Sequence, residues 1–124
     1  MKDLVITGFE DRPGVGASIG EAVGNAGVNI EGLIGSGKLG EVHLLVEDGD
    51  ADSARSAIEG AGLTVSDTRD AIVVDAEDTP GSFGRVARRI ADAGVNVDYL
   101  YVASRTRLVF VVDDAEKARA AVGS

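Results

Sequence analysis

Cysteine is absent from the 124 residues, which removes disulfide frameworks, thiolate metal sites and thiol nucleophiles together. Tryptophan is absent as well, and aromatics make up 4% of the chain, too few to form a stacking platform for single-stranded bases. Positive charge is scarce. Twelve Lys and Arg stand against 21 Asp and Glu, and a formal net charge of -9 repels a phosphate backbone, so no nucleic acid is expected as a direct partner. The single histidine, His43, has no second His or Cys with which to complete a metal site or a nucleophile–base pair. No metal, no cofactor and no catalytic residue are expected, and the chain reads as a non-enzyme. No apolar run is long enough to span a bilayer, and the segment from Met1 to Leu4 lacks the basic and apolar regions of a signal peptide. The expected location is cytoplasmic, with no membrane partner.

Proline occurs twice, and both times in the same setting: Asp11-Arg12-Pro13-Gly14 and Asp78-Thr79-Pro80-Gly81. The stretches from Asp11 to Leu33 and from Asp78 to Leu100 align without a gap at an offset of 67 residues, and Ala26-Gly27-Val28-Asn29 meets Ala93-Gly94-Val95-Asn96. Self-similarity over such a window marks an internal duplication. The repeats are expected to span residues 1–68 and 69–124.

Each copy opens with a β-branched apolar run, Leu4 to Ile6 and Ala71 to Val74, that reads as a strand. Asp-x-Pro-Gly follows, where Pro at the first helical position and Asp before it predict a helix start. Ile19, Val23 and Ala26, echoed by Val86, Ile90 and Ala93, form one apolar stripe, and Gly27 and Gly94 are expected to end the helices. Second strands are predicted over Val28 to Ile34 and Val95 to Val102, and third strands over Val42 to Val46 and Leu108 to Val112. The short turns between them allow only antiparallel neighbours. Second helices are predicted over Ala51 to Ala61 and Ala115 to Val122. A fourth strand, Leu63 to Val65, follows in the first copy alone. The order strand-helix-strand-strand-helix-strand predicts an α+β chain of two ferredoxin-like repeats side by side, with helices on one face of an antiparallel sheet and the last strand missing from the second repeat. Joined edge to edge, the halves would make one continuous sheet of seven strands.

The paired Asp-x-Pro-Gly and Ala-Gly-Val-Asn signatures resemble the ACT domain, a regulatory amino-acid-binding module. The resemblance covers nearly the whole chain, which looks like a free-standing tandem ACT protein. It implies a sensor that binds a free amino acid between the loop before the first helix of one repeat and the start of the second strand of the other. One such site would join Asp11, Arg12, Pro13, Gly14, Val15 and Gly16 to Asn96 and Asp98; the other would join Asp78, Gly81, Ser82 and Phe83 to Asn29 and Glu31. Backbone donors at a helix start suit an α-carboxylate, and Asp or Glu suits an ammonium group. Gly16 in the first loop stands where Phe83 stands in the second, so the first loop is the expected ligand site. Each of these residues also has a purely structural reading, Asp as a helix cap and Asn as a turn residue.

A homodimer is expected because the missing strand leaves the first strand of the second copy at an edge. A regulated enzyme is the expected partner, and the alternative is a structural or interaction subunit without a ligand. Two motifs compete. Gly14-Val15-Gly16-Ala17-Ser18-Ile19-Gly20 is close to a dinucleotide fingerprint, but the following strands form a hairpin where that fold needs a crossover. Gly32 to Lys38 matches a phosphate loop until Leu39 and lies between two strands, where a glycine-rich turn is the simpler reading.

Overall fold

The computed structural model describes residues 1–123, and the chain divides after Arg69 into two compact units. In the first unit, β1 (Lys2–Thr7), α1 (Val15–Asn25), β2 (Gly32–Ser36), β3 (Glu41–Val46), α2 (Ala51–Gly60) and β4 (Thr64–Asp70) follow in that order. The second unit repeats the order as β5 (Ile72–Asp75), α3 (Ser82–Asp92), β6 (Val97–Ala103), β7 (Arg107–Val112) and α4 (Ala115–Val122). The strands form a four-stranded sheet β2-β3-β1-β4 and a three-stranded sheet β5-β7-β6. The ladder of β1 on β3 is antiparallel with Leu4 opposite Leu44, and that of β5 on β7 is antiparallel with Ile72 opposite Phe110.

The expectation was one continuous seven-stranded sheet; these ladders each lie within one unit. That expectation came from the small size of each half, yet each half closes a core of its own. Leu4, Ile6 and Leu44 pack with Ile19, Val23 and Ile58 from the helices of the first unit. Ile72, Leu108 and Phe110 pack with Val86, Ile90 and Ala118 in the second. In both units the residues that meet the helices alternate along the strands, as the two-residue period of a strand requires.

The helix starts differ from the sequence reading. Pro13 is not the first helical residue, because Gly14 follows it with φ 99° and ψ -7°, outside the helical region. Gly81 repeats this after Pro80 with φ 86° and ψ -8°. Proline followed by a glycine of positive φ is the order that a type II turn demands, so each Pro-Gly pair turns the chain and the helix begins one residue later. The apolar stripe also shifts toward the N-terminus. Val15, Ile19 and Val23 are the buried residues of α1, whereas Ala26 is its exposed C-cap, beyond the last full turn.

The exits conform to expectation. Gly27 and Gly94 both have φ 76°, and Val28 N–H donates to Val23 O at 2.9 Å while Gly27 N–H donates to Gly24 O at 3.0 Å, the paired bonds of a Schellman cap. That cap delays β2. Val28 is still bound to the helix, and the ladder begins only after Glu31 N–H reaches Leu45 O at 2.9 Å. β6 likewise starts at Val97, past the equivalent cap, with a register irregularity between Val97 and Tyr99. β4 runs on to Asp70, well beyond Val65, through the polar residues Ser66 to Asp70, which carry no apolar alternation from which to read a strand.

Candidate ligand-binding site

The loop from Gly8 to Gly14 carries the chain from β1 into α1. Gly14 caps α1 with no side-chain hydrogen bond, and the first intrahelical bond is Ser18 N–H to Gly14 O at 2.9 Å. The amides of Val15, Gly16 and Ala17 therefore head the helix without an intrahelical acceptor, where the positive end of the helix dipole favours an anion. Across from this start lies the β2–β3 hairpin. Ser36 Oγ accepts from Leu39 N–H at 3.2 Å, and Gly40 N–H donates to Gly37 O at 3.2 Å. Two glycines set the packing here, Gly35 against its cross-strand partner Val42 and Gly37 against the loop. A Cβ on Gly35 would stand 2.9 Å from Val42 Cγ2, and one on Gly37 would collide with the Asp11 carboxylate that lies over it.

Between loop, helix start and hairpin is a cavity of about 280 Å³. Its apolar wall is Phe9, Val15, Ile19, Leu33 and Val42. Its polar groups come from Glu10, Asp11, Arg12 and Ser36, and backbone lines it at Gly16, Gly35 and Gly37. The volume is near the lower bound of about 300–1,000 Å³ for small-molecule sites, so a ligand of amino-acid size is the appropriate scale. Of the first-loop residues expected at a site, Asp11, Arg12, Val15 and Gly16 line this cavity, and Pro13 and Gly14 form the turn that leads into it. Sequence reasoning missed Phe9, Glu10, Leu33, Val42 and the hairpin residues. The available signal was the run Gly35-Ser36-Gly37, which was read as a turn and not as a surface that another loop could approach.

Two pairs among the remaining candidates are bonded within their own units. Asn29 Nδ2 donates to the buried Glu31 carboxylate, and Asn96 Nδ2 donates to Asp98 Oδ1 at 3.2 Å, so each Asn orients the acid two residues on. Asn96 N–H also donates to Asp113 Oδ1 at 3.0 Å. Asn29 and Glu31 lie outside the lining of the cavity. In the second unit, Asp78 is exposed, Gly81 caps α3 beneath the Arg85 guanidinium, and Ser82 is the first helical residue. Phe83 stacks on Phe110, with ring centroids 5.6 Å apart and planes inclined by 28°.

His43 lies on β3 opposite Val5, and its Nδ1 is 2.8 Å from Asp3 Oδ2, with Glu41 Oε1 3.6 Å from Nε2. Burial by itself lowers its pKa, but the bond to the Asp3 carboxylate and the charges of Asp3 and Glu41 outweigh that effect and raise it above the ordinary 6.5. Among the described residues no group of three or more His, Cys, Asp and Glu could hold a metal ion, and no helix is long and apolar enough to cross a membrane.

The element order and the antiparallel ladders define a ferredoxin-like α+β unit used twice, with a cavity at the entry to the first helix. Residues 71–122, within the second unit, match the family model of the ACT domain, and the gapless repeat places the same Asp-x-Pro-Gly and Ala-Gly-Val-Asn residues in the first. The chain is 32% identical over 120 aligned residues to phosphoserine phosphatase SerB2 of Mycobacterium tuberculosis, an alignment that covers 78% of this chain and 29% of that protein. It thus spans under a third of that relative's length. Among solved structures, protein BT0572 from Bacteroides thetaiotaomicron is similar in fold at 20% identity and a TM-score of 0.81, covering 98% of this chain and 85% of that one. The ligand-free regulatory subunit of aspartate kinase from Thermus thermophilus is similar at 22% identity and a TM-score of 0.69, covering 98% and 86%.

Proposed function

We propose that the chain is a regulatory ligand-binding module whose first unit takes a free amino acid in the cavity at the start of α1. One observation carries this reading. An apolar-walled cavity has at its edge residues of both charge signs, Glu10 and Asp11 with Arg12, together with the uncapped first turn of a helix. A zwitterion with an apolar or small side chain matches that set of groups. In this reading the α-carboxylate accepts from the amides of Val15, Gly16 and Ala17 and pairs with Arg12, while the α-ammonium donates to Asp11. The ACT-domain match in the second unit and the likeness in fold to a kinase regulatory subunit support the regulatory class. The ligand shifts the affinity of the module for a regulated enzyme, and that enzyme shifts the affinity for the ligand by the same factor.

The test is a thermal-shift series of the full chain against the twenty amino acids, with nucleotides alongside. A ligand at a hundred times its dissociation constant adds about 2.7 kcal/mol of stability. A shift with at least one amino acid is expected; the reading fails if none produces one, and a shift with a nucleotide alone favours the glycine-rich loop as a phosphate site. The same reading includes a homodimer, because β5 is an edge strand of its sheet. Light scattering at micromolar concentration should give twice the 12.7 kDa chain mass.

A further inference from the structure

The duplication supplies a comparison at the second residue of the first helix in each unit, where Gly16 stands in α1 and Phe83 in α3. The Phe83 ring packs on the core of the second unit and stacks on Phe110, the β7 residue that pairs with Ile72. In the first unit the β3 residue that pairs with Leu4 is Leu44, and the helix position opposite carries no side chain. A Cβ built on Gly16 meets nothing within 4 Å. Beside it lies the cavity of about 280 Å³, with Phe9, Val15, Ile19 and Val42 in its wall. One side chain thus completes the second unit at the helix start, and the first unit has space at the corresponding place.

Apolar walls give water few hydrogen-bond partners, so an apolar group that enters such a cavity replaces poorly bound solvent. We propose that the ligand of this site is an amino acid with a large apolar side chain, of leucine to phenylalanine size, which fills the first unit at the helix start as the Phe83 ring fills the second. This rests on the reading of the cavity as an amino-acid site and adds its selectivity. Asp11, Arg12 and the helix amides deal with the α-ammonium and α-carboxylate that all amino acids share, so discrimination falls to Val15, Ile19 and Val42. A charged side chain would lose its hydration against that wall without gaining a partner.

Isothermal titration of the full chain with phenylalanine, leucine, alanine, serine, aspartate and lysine tests this. Phenylalanine and leucine should bind most tightly, with affinity falling about fourfold for each methylene removed from the aliphatic side chain. Gly16→Phe should abolish binding while the chain keeps its cooperative melt and circular dichroism. Gly16→Val, a smaller plug in case the ring is not accommodated, should weaken leucine binding at least tenfold. If serine, aspartate or lysine binds more tightly than leucine and phenylalanine, the selectivity proposed here is wrong and the amino-acid site stands. Unimpaired leucine binding by a folded Gly16→Phe chain also overturns the proposal. If no amino acid binds the unaltered chain, the site reading itself fails.

Discussion

The two units enter their first helices by the same turn and then complete the junction by different means. Pro13-Gly14 and Pro80-Gly81 set the same left-handed glycine before α1 and α3. In the second unit Phe83 packs into the core, and the loop is tied to the hairpin by Ala76 N–H donating to Thr106 O at 3.1 Å. That hairpin turn holds Arg105 at φ 59° and Thr106 at φ 53°, a costly conformation for side chains with a Cβ. In the first unit the Asp11 carboxylate lies over Gly37, and a cavity remains. The repeated residues therefore specify the frame, and single non-repeated side chains decide whether the junction is filled or open.

A second contrast lies on the strand faces turned away from the helices. Asp3 and His43 form a buried polar pair in the first unit, whereas the second unit has Ala71 and Val109, both buried, at the corresponding ladder positions. A titratable pair thus occupies positions in one unit that are apolar in the other.

Three substitutions would break or sharpen these contrasts. The largest effect is expected of Phe110→Ala, which removes a fully buried ring and the stacking partner of Phe83. A loss of about 3–5 kcal/mol is expected, read as a lowered urea midpoint. A loss below about 1 kcal/mol would mean that the stacked pair is not what completes the second unit.

His43→Ala should follow with a smaller loss of about 1–3 kcal/mol, because it removes the imidazole bonded to the buried Asp3 carboxylate. Its pH dependence has a definite sign. The folded pKa of His43 is raised above 6.5, so its contribution is fully present below about pH 6.5 and is lost as pH rises through the folded value. Urea midpoints measured from pH 5.5 to 8.5 should show this component falling with rising pH in the unaltered chain and missing from His43→Ala. The same slope in both would assign the dependence to other groups.

The smallest effect on stability is expected of Gly37→Ala, because the group it meets is the mobile end of Asp11. A change within about 0.5 kcal/mol is expected. Ligand affinity should fall much further, since the displaced carboxylate is the one assigned to the ammonium. Equal losses in stability and affinity would instead mean that Asp11 holds the loop and not the ligand.

The frame was readable because its determinants are local. β-branched runs, a glycine at each helix exit and short turns place the elements to within a few residues, and the offset of 67 between Asp11 and Asp78 reveals the pairing of the copies. What escaped depends on tertiary approach. Pro13 looks like a helical first residue until Gly14 is seen at φ 99°, and β4 has no apolar period to announce its last five residues. Four of the first-loop candidates fell in the cavity wall because a helix start is a local feature. Leu33, Gly35 and Gly37 could not be assigned, since only the closure of the hairpin onto the loop brings them there.

The scarcity of aromatic residues gives the cavity a spectroscopic consequence. Both tyrosines, Tyr99 and Tyr101, lie in β6, and Phe83 and Phe110 also belong to the second unit, so Phe9 carries the only phenyl ring among the first 69 residues. Phe9 lines the cavity. A fluorine atom on that ring would give one resonance that reports occupancy directly, while ring signals from the second unit serve as an internal reference within the same molecule.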